Sequence, residues 1–176
     1  EGAPALPQCT PAPLPGTLPA GDSCIAPAGD GFVVVAQGAV YTASATDAAF
    51  LHLLADAQSA KRVFDAKALY TLALAAGSEA QNIVFDGKLA AYLLNPAGSG
   101  YDPVRLAAEY GVQPAFTCEI PEAGILAPLF DKLAAACDAQ GLTKLLTDIE
   151  QPLSQVLSSM EYTGIQVDKK GIEDFG

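Results

Sequence analysis

The chain has 176 residues, 51% of them hydrophobic, which is enough for one globular domain with a sizeable core plus tails, or for one domain and a piece of another. Nine basic residues against 20 acidic ones give a formal charge of -11, which repels nucleic acid and anionic membranes at long range. No basic patch offsets this, since the pairs Lys61-Arg62 and Lys169-Lys170 read as solvated surface charge, and no apolar run reaches the ~18 residues needed to cross a bilayer.

In chain order, residues 1–21 are rich in proline, alanine and glycine and poor in large side chains, so they are expected to form a linker rather than a packed element. They carry no basic segment followed by an apolar one, so no secretory leader is expected in this stretch. Short β-prone runs follow: "SCIA", "GFVVVA" (31–36) and "AVYTAS" (39–44), the last two separated by Gln37-Gly38, a gap that suits a tight hairpin turn. "TDAAFLHLLADAQ" opens on a Thr46/Asp47 cap signal and has apolar residues at helical spacing. Two similar phrases come next. In "KRVFDAKALYTLALAAG" a short strand ends at Asp65, a helix cap, and Leu69, Leu72 and Ala76 continue with helical period to a stop at Gly77. In "NIVFDGKLAAYLLNP" Asp86 plays the same part, with Leu89, Tyr92 and Leu93 forming the stripe before Pro96. Asp102 and Pro103 then start a short helix ending at Gly111. Two longer helical stretches, 119–140 and 142–164, complete the pattern, with a kink or junction expected at Pro152 and a last cap at Asp168. Alternating strands and helices predict an α/β sheet with flanking helices, followed by C-terminal helices.

The remaining chemistry-bearing residues form no motif. Cys9, Cys24, Cys118 and Cys137 contain no C-x-x-C pair and, with a single His52, no zinc spacing, so they read as buried or incidental free thiols in a reducing cytosol. His52 sits in the apolar run "FLHLL" without a nucleophile to serve. The glycines of "NPAGSGY" lack phosphate-loop spacing, and Glu122, Asp131 and Asp138 have the separations of a solvated helix face.

Several phrases together resemble the bacterial DNA polymerase I family. "FDGKLAAYLLNP" and "YDPVRLAAEYG" are similar to its 3′-to-5′ exonuclease-like domain, and "IEQPLSQVLSSMEYTGIQVDKKGIEDFG" is similar to the entry into its polymerase domain. The resemblance covers about residues 24–176. It implies a ribonuclease-H-like mixed sheet, a 3′-to-5′ exonuclease-like domain at 22–140 and the truncated start of the polymerase domain at 141–176. It also implies a parent enzyme that adds deoxynucleotides to a template with Mg²⁺ in the cytoplasm, in replication and repair. The partners it implies are DNA, reached through the parent enzyme, and the rest of the polymerase chain.

Exonucleases of this family use two divalent metals, which need several carboxylates converging on one point. The family supplies them from a D-x-E on the first strand, an N-x-x-x-D before a central helix and a Y-x-x-x-D on a late helix. Here no D-x-E stands near "SCIAPAGDGF". Lys61 occupies the Asn position before Asp65, and Ala123, Gly124 or Ile125 stands where the last Asp is expected. Of the four carboxylates in that pattern Asp65 alone is present, and the resemblance makes Asp86 structural. The reading is therefore a degenerate, inactive exonuclease-like domain, with no catalytic or metal residue assigned, Asp65 the one candidate, and no cofactor for the fragment. The alternative is an active nuclease in which Asp65 recruits Asp30 or Asp22 and a helical acid, Glu119 or Glu122. A stand-alone single-strand binder would need a basic groove or an aromatic platform, which zero Trp and the acidic balance disfavour.

Overall fold

The computed structural model describes residues 5–18, 21–98 and 100–160. Its centre is a six-stranded sheet of strands β1 (Ala12–Pro13), β2 (Ser23–Ala28), β3 (Gly31–Ala36), β4 (Ala39–Ala43), β5 (Lys61–Val63) and β6 (Ile83–Asp86), in the order β1-β4-β3-β2-β5-β6. The meander β2-β3-β4 is antiparallel and turns at Gln37 and Gly38, both with positive φ, where the sequence predicts the hairpin. β5 and β6 add in parallel, with Ile25 opposite Val63 and Val63 opposite Asp86. The result is the mixed sheet with flanking helices expected from the alternation of elements.

Both faces of the sheet are covered, which is why its strands read as continuous apolar runs rather than alternating ones. On one face Ile25, Val34 and Val63 pack with Phe50, Leu53 and Leu54 of α1 (Ala48–Ala55) and with Leu69 and Ala73 of α2 (Ala66–Ala75). On the other, Cys24, Ala26, Val33 and Phe85 pack against α3 (Gly87–Leu94), α4 (Pro103–Glu109) and α5 (Pro121–Ala139). Successive residues of β2 and β3 thus serve opposite cores, as the two-residue period of a strand requires.

Four local expectations change. Residues 12–13, inside the segment read as a linker, form the edge strand β1: Ala12 lies opposite Tyr41 and Leu14 N–H donates to the Thr42 carbonyl at 2.9 Å. An edge is where a proline-rich extended chain can pair, because the missing N–H of Pro13 then costs no ladder bond. Lys61 is not solvated surface charge but fully buried, and Arg62 reaches Asp131 of α5 at 2.6 Å. Asp47 stands at the N-cap of α1, yet its carboxylate turns back to accept from Ser44 N–H (2.8 Å) and the Ser44 hydroxyl (3.0 Å). The last helical run has a short α6 (Thr143–Leu145), a π-helical turn (Leu146–Glu150) and helix again through residues 151–160. The wide turn ends two residues before Pro152, whose ring and missing N–H are incompatible with a regular bond to the carbonyl four residues earlier, so the junction falls near the expected proline. The expected extension to 164 and the cap at Asp168 lie outside the described residues.

Candidate functional site

Asp65 is delivered by the end of β5. The strand's last residue, Val63, is paired on both sides, and two residues later the chain enters α2 with Asp65 as its N-cap. Its backbone is left-handed (φ 75°, ψ 69°), a conformation that aspartate tolerates better than most side chains but that still needs external support. The support is Asp86. Its Oδ1 accepts from Asp65 N–H and its Oδ2 from Ala66 N–H, both at 3.0 Å. Oδ1 accepts also from Lys88 N–H (3.0 Å) and Leu89 N–H (3.4 Å) at the start of its own helix. One carboxylate therefore caps α2 and α3 together, satisfying donors that a helix start otherwise leaves orphaned.

The two similar phrases are thus interlocked. The aspartate of the second caps the helix of the first, and the lysine of the second, Lys88, lies 3.4 Å from Asp65 Oδ2. The phrases differ at the residue after the aspartate, Ala66 against Gly87, because a Cβ at 87 would stand 2.6 Å from the Phe130 ring. Asp86 is 4% exposed, and burial pushes its carboxyl above the usual aspartate range. Its bonds from Ala66, Asp65 and Leu89 N–H pull the other way, and the charge of Asp65 adds to the upward push.

Few donors converge on Asp65. Its Oδ1 accepts from Ala68 N–H at 3.4 Å, a helix-cap contact, and its Oδ2 faces the Lys88 ammonium. β2 runs on beside it as Ala26-Pro27-Ala28, with no acidic side chain anywhere in the strand. On α5, Ala123 and Ile125 are buried in the apolar core, where a carboxylate would be desolvated, and a Cβ on Gly124 would meet the Phe116 carbonyl at 2.1 Å. Asp30, Glu119 and Glu122 share one open groove with Asp47, and Asp65 is not among its lining residues; Asp22 is exposed before β2. Among the described residues no group of three or more His, Cys, Asp or Glu is arranged to hold a metal ion. A pair of hard divalent cations asks for more carboxylate oxygens than this corner offers, so the donor set does not fit the family's metals.

Sequence reasoning identified both aspartates as caps but missed that one of them caps two helices. The available signal was the repeat itself: two strands with one ending, when laid side by side in parallel, bring their terminal aspartates together. It also missed Gln151. That side chain accepts from Asp86 N–H at 3.1 Å and donates to the Val84 carbonyl at 3.5 Å, so its amide pairs with the outer edge of β6 in place of a further strand. Ser158, fully buried, donates to the Lys67 carbonyl at 3.3 Å and fastens the same helix to the start of α2. His52 is exposed on α1 and lines a cavity of about 250 Å³ with Pro15, Leu18 and Asp56.

Residues 30–117 match the family model described as DNA polymerase I, ribonuclease H-like domain. The chain is 32% identical over 151 residues to DNA polymerase I of Geobacillus stearothermophilus, a match covering 74% of this chain and 17% of that protein. It therefore spans about a sixth of the length of that relative. Among solved structures it is similar to the POL domain of Pol1 from M. smegmatis in complex with DNA primer-template and dNTP (TM-score 0.64, 23% identity, 80% of this chain and 28% of that one). It is also similar to Brucella melitensis NrnC bound to pGG (TM-score 0.60, 13% identity, 91% and 95%). At these identities the structural likenesses speak for the fold.

Proposed function

The chain belongs to the DNA polymerase I family through its ribonuclease H-like domain, and from that membership we propose that it is an exonuclease-like domain without nuclease activity, serving as structural support for template-directed DNA synthesis. Its six-stranded mixed sheet with helices on both faces is the ribonuclease H-like fold. The observation that carries the functional reading is the setting of Asp65. Its carboxylate faces a lysine and a helix N-terminus, while β2 and α5 bring no acid to it. Two-metal phosphodiester hydrolysis needs the opposite environment, several negative oxygens and no competing cation.

Support as a role is favoured by the last helical run. Ile149, Leu153, Val156, Leu157 and Met160 are all at least 40% exposed and recur at helical spacing on one stripe, while Gln151 and Ser158 hold the other side to the domain. The proposed occupant of the stripe is the polymerase body of the parent chain, since the relatives named DNA polymerase I extend far beyond the span matched here. Residues 141–176 are in this proposal the beginning of that body, and templated nucleotide addition and contact with DNA belong to the parent enzyme.

The test is incubation of the purified chain with end-labelled single-stranded DNA and Mg²⁺ or Mn²⁺. The substrate is expected to stay intact. Shortening that vanishes in Asp65→Ala would overturn the reading.

A further inference from the structure

Cys9 and Cys118 are far apart in sequence and each directly follows one partner of a single backbone bridge. Gln8 pairs with Thr117 in parallel, through Cys9 N–H to the Thr117 carbonyl and Thr117 N–H to the Pro7 carbonyl, both at 2.9 Å. The next residue on each side is a cysteine. Gln8 and Thr117 are exposed whereas Cys9 and Cys118 are both partly buried and pack against the same apolar cluster, so the alternation of an extended chain puts both side chains on one side of the bridge; the Cys9 thiol rests 3.8 Å from the Gly38 carbonyl, and rotation about its Cα–Cβ bond would turn it to its neighbour. Neighbouring extended strands lie about 4.8 Å apart, inside the roughly 4.4–6.8 Å between Cα atoms that a disulfide spans.

We infer that Cys9 and Cys118 are a thiol pair that closes into an intrachain disulfide and latches the proline-rich N-terminal segment to the loop before α5. The oxidant class is a small-molecule disulfide such as oxidised glutathione. One cysteine thiolate attacks it, forming a mixed disulfide and releasing one glutathione thiol. The second cysteine then attacks the protein-side sulfur, forming the Cys9–Cys118 bond and releasing the second glutathione. Two protein thiols are oxidised and one small disulfide is reduced to two thiols. Cys24 and Cys137 do not compete, being buried in the core with thiols pushed up by that burial.

The experiment treats the folded, reduced chain with oxidised glutathione, blocks residual thiols and maps its peptides by mass spectrometry. The expected product is a monomer with the Cys9 and Cys118 peptides joined, two hydrogens lighter, with a melting temperature raised and then restored by dithiothreitol. In Cys9→Ser or Cys118→Ser the remaining cysteine should stop at the glutathione adduct. Glutathione on both cysteines without a link, a link through Cys24 or Cys137, a bond between two chains, or no reaction would each overturn the inference.

Discussion

Lys61, which the sequence resemblance sets at an asparagine position of the family pattern, makes three contacts that asparagine, with two amide hydrogens on a shorter side chain, cannot. Its ammonium, fully buried, donates to the carbonyls of Asp56 (2.8 Å), Ser59 (2.6 Å) and Gln81 (2.7 Å), tying the loop after α1 to the segment leading into β6. Burial lowers its pKa to about 8 from 10.5, against an upward pull from Asp56. The folded state therefore binds fewer protons than the unfolded state between those two values. Below pH 8 both states carry the charge and the cost of burying it is constant; as pH rises from about 8 to 10.5 that cost is relieved, and Lys61 alone should raise stability by up to roughly 3 kcal/mol. Urea unfolding of the native protein and of Lys61→Met at pH 7.5 and pH 10 measures this. The native protein is expected to gain on the variant as pH rises, and parallel pH dependence in the two would contradict the assignment. Nothing in the sequence marked Lys61 as buried. Its neighbour Arg62 is partly exposed, and a charged pair reads as surface because burial of a lysine depends on three carbonyls that only the folded loops assemble.

At the scale of elements, the shared cap makes the two aspartates unequal. Removing Asp86 orphans donors at two helix starts at once, so Asp86→Ala should cost about 2–4 kcal/mol in urea unfolding. Asp65→Gly loses one long cap contact and the Lys88 ion pair but suits the left-handed backbone at φ 75°, and its cost should stay within about 1 kcal/mol. Equal losses would show that Asp86 does not organise the corner by itself. These elements were largely legible beforehand: the hairpin at Gln37-Gly38, the two strand-to-helix units and the Asp102/Pro103 start, where Asp102 accepts from Arg105 N–H at 3.0 Å, all follow from local turn and cap chemistry. The edge strand β1 was not legible, because two residues of a proline-rich segment carry no pattern and only the free side of β4 gives them a partner. The proposal of an inactive site starts from acids missing at the positions where the resemblance expects them. The tight packing at Gly124, where a Cβ would meet the Phe116 carbonyl, was not legible, because it depends on how the loop before α5 folds back on the helix.

For the whole molecule the apolar stripe on the last helix makes contrasting predictions for the isolated chain and for a longer polymerase that contains it. Leu153→Glu with Val156→Glu changes solvent-facing positions in this chain, so its melting temperature should barely move and any self-association seen by sedimentation should fall. In the longer protein the same pair should lower the melting temperature of the polymerase body and its synthesis rate. An unchanged full-length enzyme would remove the stripe from the proposed interface.

The clasp at Gln151 has a mechanical consequence. Asp86 is gripped from outside through its backbone N–H by Gln151, and it grips inward, through its carboxylate, the first turns of α2 and α3. A displacement applied to the last helix would therefore reach both flanking layers of the sheet through Asp86, and α2 also through Ser158. The corner is thus a joint between the last helix and the two layers, built around the Asp86 carboxylate.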